Sequence, residues 1–343
     1  EGIFYYQRTI KNGMRYSAYD AFLKTALKRK NVKIKKNTLV LKIIFNDQKA
    51  VGLIYKKNNK IFEIFANKEI ILCAGAIGTP HLLQVSGIGD GEYLKSIGID
   101  PLYEIKNVGE GLQDHYAVRV ANKINLPISL NEKARGYKLF LEIMKWFFLK
   151  KGLISYSPAH VGAFLKSSSE IDFPDLQFVF TPASYTEGMI GKLQEVPGIT
   201  CGVWQSRPLS RGFVRALSQN IRDAPIIQPN YLKEKIDQDV LVSGFKMCRA
   251  LLKTSNIDKI SIGETLPGDN IQTDEEILNY LRNNGATVYH AIGSCRMGID
   301  ENAVVTPSLK VKGLSNIRIA DASIMPTMPS GNTNAATLMI AEK

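Results

Sequence analysis

Residues 68–90, KEIILCAGAIGTPHLLQVSGIGD, constrain this chain more than any other stretch. A β-rich apolar run, EIILCA, meets a glycine turn, and a helix pattern starts near Thr79 and Pro80. A strand that passes through a glycine turn into a helix N-terminus presents backbone N–H groups with no partner inside the helix. That geometry suits a phosphate or the polar edge of a nucleotide. The expected class is therefore a mixed α/β fold.

The flanking sequence adds elements of both kinds. SAYDAFLKTALKRK has helical spacing, with Ser17 as its N-cap. TLVLKIIFND and AVGLIYKK flank NDQK, which reads as a hairpin turn. Between about 116 and 285 the character changes to strand-like runs, DLQFVFTP, ITCGVWQSRP and GFVRALS. One helical stretch there, YKLFLEIMKWFFLKKG, is apolar on one side and carries lysines on the other. It reads as a surface helix whose apolar face packs on its own core, with a membrane-surface helix as the alternative. The last part returns to short strands and turns, VVTPSLKVKGLSNIRIADASIMP, and ends in a helix pattern, NAATLMIAEK.

At 343 residues there is enough chain for two domains. The formal charge of +12 comes mostly from scattered lysines. They are not interleaved with stacking aromatics, so no nucleic-acid partner is expected. No apolar run reaches the length of a transmembrane segment. The four cysteines are far apart, with no C-x-x-C pair, and form neither a disulfide framework nor a zinc pattern, so no metal is expected. Cys73 and Cys248 lie in apolar runs and read as core. Four histidines occur. His81 is expected on the surface of its helix, His115 in a structural place, and His160 on a surface loop. His290, in VYHAIGSCRMG, reads on its own as a hydrogen-bonded core histidine. A zinc site would need a second pair beside His290 and Cys295. There is no G-x-G-x-x-G, no Walker A and no G-x-S-x-G.

GAIGTPHLLQVSGIG resembles a signature of the glucose–methanol–choline (GMC) family of FAD-dependent oxidoreductases. Four further stretches agree in order: QRTIKNGMRYSAYDAFL, VGEGLQDH, RPLSRGFVRALS followed by PIIQPNYL, and VYHAIGSCRMG with IRIADASIMPTMPSGNTNAATLMIAEK. SGNTNAA and MIAEK are most similar to the insect glucose-dehydrogenase-like and choline-dehydrogenase-like branch, whose members suggest secretion. The resemblance implies an FAD-binding domain in two pieces, 1–115 and 286–343, the second carrying the catalytic residues. A substrate domain with an antiparallel sheet and flanking helices would lie between them, at 116–285. A first βαβ unit carrying G-x-G-x-x-G would precede Glu1, so this would be a fragment, unstable and inactive when made alone.

The implied chemistry is oxidation of a CH–OH group in an alcohol or sugar, with electrons passed to a quinone or similar acceptor. A carbonyl forms only if the hydroxyl proton leaves as well as the hydride, so a base must stand by the hydroxyl with a pKa near working pH. Histidine suits that role. By resemblance His290 is the base and Asn332 the second active-site residue, which donates a hydrogen bond but takes no proton. Val40, Ala74, Gly75, Asp321, Ala322 and Asn334 would contact FAD. The family usually has Pro after this histidine and Thr before the cysteine, where this chain has Ala291 and Ser294. An oxygen-using oxidase, a hydroxynitrile lyase or a non-catalytic relative are the alternatives on the same scaffold.

Overall fold

A computed structural model of the chain describes residues 1–186 and 192–342. The chain divides into two compact units. The units group residues 1–34 with 116–205 and 238–286, and residues 206–237 with 35–115 and 287–343. Strand pairing is the reason. Gly2–Tyr5 pairs antiparallel with Val161–Leu165, which takes the N-terminal segment into the first unit. Gly212–Arg215 pairs with Glu110–Leu112, which takes 206–237 into the second.

The first unit is an antiparallel sheet. Its strands run in the order Gly2–Tyr5, Val161–Leu165, Leu176–Thr181, Gly198–Gln205, Tyr116–Ile124 and Ser261–Leu266. Register places Ala163, Phe178, Val203 and Val118 in one row across four strands, all buried. A helix, Lys235–Leu252, repeats Leu241, Phe245, Cys248 and Leu252 at helical spacing, and these four are buried. Gly244 on that helix allows close approach to the sheet: a Cβ there would stand 2.9 Å from both Leu176 and Val203 side chains. Cys248 is therefore core, as its apolar surroundings predict.

Helix Gly136–Leu149 departs from expectation. None of its residues is buried. It is held from one side, where Trp146 Nε1 donates to Gly13 O at 2.9 Å and Glu142 accepts from Leu153 N at 2.6 Å. The apolar stripe faces away, with Tyr137, Phe140, Leu141, Phe147 and Phe148 exposed. The expectation that this stripe packs on the protein's own core is thus not met. Among the described residues no helix is long and apolar enough to cross a membrane.

The second unit holds a parallel strand pair, Ile70–Leu72 with Ile317–Ile319. Ile70, Leu72, Ile317 and Ile319 form its core with Leu83, Ile88, Val304, Val305 and Ile324. An antiparallel sheet, Thr38–Asn46, Lys49–Lys57 and Lys60–Phe65, contains the expected hairpin, with Asp47 in the left-handed region at its turn. Helix Gly75–Val85 begins earlier than Thr79 and Pro80. Residues Thr79–Val85 of it are all buried, and His81 among them is 6% exposed rather than on the surface. A helix enclosed nearly all round has no polar face for His81 to occupy. Cys73, expected in the core, is exposed at the strand's end. Gln84 clamps this helix to both neighbouring segments, donating to Val108 O and Val214 O and accepting from Ala216 N.

Candidate active site

Two clusters of buried polar groups lie within the second unit. The first is built where LQDH and YHAIG run side by side. Gln113 and Ile292 exchange backbone hydrogen bonds at 3.0 and 2.9 Å, and Val288 N donates to His115 O at 3.2 Å. This short pairing places the side chains of His115 and His290 against each other, with Nδ1 to Nδ1 at 2.8 Å and rings edge to face. Asp114 fixes the loop. Its carboxylate accepts from His290 N at 2.8 Å, from Tyr231 Oη at 2.5 Å and from Thr287 Oγ. Tyr289 is left-handed, with φ of 62°, and its N–H donates to Thr287 Oγ at 2.8 Å. A non-glycine residue in that region costs energy, and here the surrounding hydrogen bonds hold it.

The hydrogen bonds decide where the protons sit. His115 Nε2 lies 2.8 Å from Ser206 O, a carbonyl that can only accept. His115 therefore carries its proton on Nε2. Burial pushes its pKa down to about 4, so it is neutral at pH 7, with Nδ1 as an acceptor. The proton between the two rings then belongs to His290 Nδ1. His290 is also held below its ordinary pKa, chiefly by burial, with Asp114 opposing. Its remaining lone pair is on Nε2, and that atom faces Asn332 Nδ2 at 3.1 Å. The arrangement thus gives His290 one basic nitrogen beside an amide donor. His160, set outside this cluster in the other unit, is half-buried and lies 6.2 Å from Tyr156 by ring centroids.

The second cluster surrounds Asp321, which is buried and caps the short helix Ala322–Ile324. Its carboxylate accepts from Gly75 N at 2.9 Å, Thr79 Oγ at 2.6 Å and Ser323 N at 2.8 Å. Thr79 Oγ accepts in turn from Ala74 N at 3.1 Å. Gly75 has φ of +79°, and nothing lies within 4 Å of where its Cβ would be. The start of helix Gly75–Val85 therefore has an open side, with orphan N–H groups of the kind that bind hydroxyl or phosphate oxygens. These features fit a nucleotide cofactor. Val40 and Ala322 pack against the core of this unit, and Asn334 lies in the first turn of Thr333–Glu342. Among the expected site residues, hydrogen bonds join His290 to Asn332 and Asp321 to Gly75. Among the described residues no hydrogen bond joins the side chain of Val40 or Asn334 to either cluster.

Asp114, Thr79, Ser206, Tyr231 and Thr287 were not anticipated from the sequence as participants. Asp114 stands beside His115 in LQDH, a stretch already distinctive. Ser206 and Tyr231 carry no local signal, since they meet His115 and Asp114 across 91 and 117 residues, and Thr79 reaches Asp321 across 242 although it also accepts from Ala74 N five residues before it.

A histidine–amide pair and a carboxylate-braced helix start thus occur together in one mixed α/β unit, the second of them suited to a nucleotide cofactor. GMC oxidoreductase family models match residues 1–117 and 208–341. The chain belongs to the GMC oxidoreductase family. It is 38% identical over 348 residues to an alcohol dehydrogenase [acceptor] of Pseudomonas putida, covering all of this chain and 62% of that protein. It is 37% identical over 350 residues to an oxygen-dependent choline dehydrogenase of Staphylococcus epidermidis, covering all of this chain and 61% of that one. The chain thus spans about three-fifths of the length of these relatives. Among solved structures, pyridoxine 4-oxidase from Mesorbium loti superposes with a TM-score of 0.87 at 26% identity, over 99% of this chain and 63% of that one. An FAD-dependent oxidoreductase from Chaetomium thermophilum superposes at 0.87 and 23% identity, over 99% and 66%, and shares the fold. The expected mixed α/β class and the expected flavoprotein family both agree with these neighbours.

Proposed function

We propose that this chain carries the catalytic residues of an FAD-dependent enzyme that oxidises a CH–OH group of an alcohol or sugar. FAD, when bound, supplies the hydride acceptor at flavin N5. The unit containing Asp321 would hold it, with Ala74, Gly75, Ala322, Val40 and Asn334 as contacts. The unit built on the antiparallel sheet would be the substrate-binding domain.

The observation that carries this reading is the proton order Ser206 O, His115, His290. It leaves His290 Nε2 unprotonated at neutral pH, and that atom would take the substrate's hydroxyl proton. The resulting imidazolium would keep its Nδ1–H bond to neutral His115, now charge-assisted and stronger. Asn332, which meets Nε2 here, would turn its amide to the alcohol oxygen and hold it as charge develops. A quinone or another non-oxygen electron acceptor is the proposed partner; of the two relatives, the Pseudomonas dehydrogenase is named for an acceptor and the Staphylococcus one as oxygen-dependent. Hydrogen peroxide formed in proportion to substrate would instead make the enzyme an oxidase.

The test is stopped-flow flavin reduction in the full-length protein. His290→Ala should slow it by roughly 10²–10⁴, the range for a lost general base, with flavin still bound. An unchanged reductive half-reaction would remove His290 from the mechanism. Asn332→Ala should cost less and keep the pH dependence set by the base. If Asn332→Ala abolished that dependence and His290→Ala preserved it, the two roles would be reversed.

A further inference from the structure

Helix Gly136–Leu149 has two faces with opposite surroundings. Leu139, Glu142 and Trp146 lie on the side that touches the protein. Tyr137, Phe140, Leu141, Phe147 and Phe148 project from the other side, within an arc of about 120° at the helical period. Phe148 is 69% exposed and Phe140 60%. A surface helix normally turns such a stripe inward, and a contiguous exposed aromatic patch marks a binding face.

The charges around the patch select its partner. Between residues 132 and 151 there are six basic side chains and two acidic ones. Glu132 is taken up in the capping box with Ser129, and Glu142 by Leu153 N and Lys145. Lys138 and Lys145 flank the apolar arc along one border. Lys150 closes its C-terminal end, lying over the Trp146 ring at 4.2 Å. A second copy docked on this face would set like charges against each other. A membrane surface rich in anionic lipid offers acyl chains for the aromatics and negative headgroups for the lysines at the same depth.

We propose that helix Gly136–Leu149 docks this protein on an anionic lipid surface, lying in the plane of the interface with Tyr137, Phe140, Leu141, Phe147 and Phe148 inserted. The inference is independent of the catalytic reading, since no residue of the helix belongs to either polar cluster.

The experiment is flotation of full-length protein with vesicles of phosphatidylcholine, with and without phosphatidylglycerol. The wild type should float with the anionic vesicles, and added salt should release it. Phe140→Glu/Phe148→Glu should lower the bound fraction by roughly tenfold or more, as the loss of two inserted aromatics requires. Lys138→Glu/Lys145→Glu should lower binding to anionic vesicles by roughly tenfold or more and leave binding to neutral ones unchanged. Turnover of a soluble substrate should be unaffected by either pair, which also shows that both variants fold. A wild type that floats with neither vesicle overturns the proposal. So does a Phe148→Cys side chain that a water-soluble maleimide cannot reach in the full-length protein, because another part of the chain then covers the face. A concentration-dependent dimer abolished by Phe140→Glu/Phe148→Glu, without vesicle binding, assigns the face to a second copy and overturns it as well.

Discussion

Asp114 and Asp321 are both buried carboxylates, and each accepts three hydrogen bonds. They differ in what donates. At Asp114, Oδ1 takes a backbone N–H from His290, while both donors on Oδ2 are hydroxyls, Tyr231 and Thr287. At Asp321 each oxygen takes at least one backbone N–H, from Ser323 on Oδ1 and Gly75 on Oδ2. A hydroxyl can rotate from donor to acceptor, whereas a backbone N–H cannot. The two sites therefore share a burial and a donor count but differ in how rigidly they demand a negative charge. The rigid one frames a helix start, and the adaptable one braces the loop that carries His290.

Asparagine substitution is the sharpest way to break this comparison. Asp321→Asn must set an NH₂ group against Gly75 N–H or Ser323 N–H in either orientation. We expect a loss of about 2–4 kcal/mol in unfolding free energy, the range for unsatisfied buried groups beside a lost charged acceptor. Urea unfolding of the full-length protein measures it, and flavin retention should fall with it. A loss under about 1 kcal/mol would mean that the helix start relaxes around the amide.

A pH titration of stability is the next largest effect, and it belongs to the Asp114 cluster. His115 has a folded pKa of about 4 against an ordinary 6.5. Below pH 6.5 the unfolded chain takes a proton that folded His115 refuses. Stability is therefore full above about pH 6.5 and declines as pH falls toward about 4, by on the order of 3 kcal/mol. The depressed pKa of His290 acts with the same sign. His115→Asn should flatten the decline in melting temperature between pH 6.5 and 4, and an unchanged slope would place its origin elsewhere.

The smallest expected change is Asp114→Asn. With Oδ1 kept toward His290 N, its NH₂ meets two hydroxyls that can accept. The stability cost should stay within about 1.5 kcal/mol, the net worth of an ordinary hydrogen bond. The pKa of His290 should drop further, since the carboxylate that raises it is gone. The acid limb of flavin reduction should therefore move to lower pH. If Asp114→Asn destabilised the protein as much as Asp321→Asn, the distinction between the two carboxylates would fail.

The strand–turn–helix at 68–90, the hairpin at NDQK, the strands of the middle region and the terminal helix were all legible in the sequence, because each rests on local propensity and turn chemistry. That His290 and Asn332 would lie together was legible as well, though only through the pattern of residues around them. The structure alone decided the rest. Residues 1–34 and 206–237 joined their units through strand pairs with partners far along the chain. His115 gained its place against His290 by a contact spanning 175 residues. The period of Gly136–Leu149 showed which residues share a face, but not that the face would be left uncovered. The physical reason is common to all three. Periodicity records which side chains point the same way, and only the tertiary arrangement determines what stands opposite them.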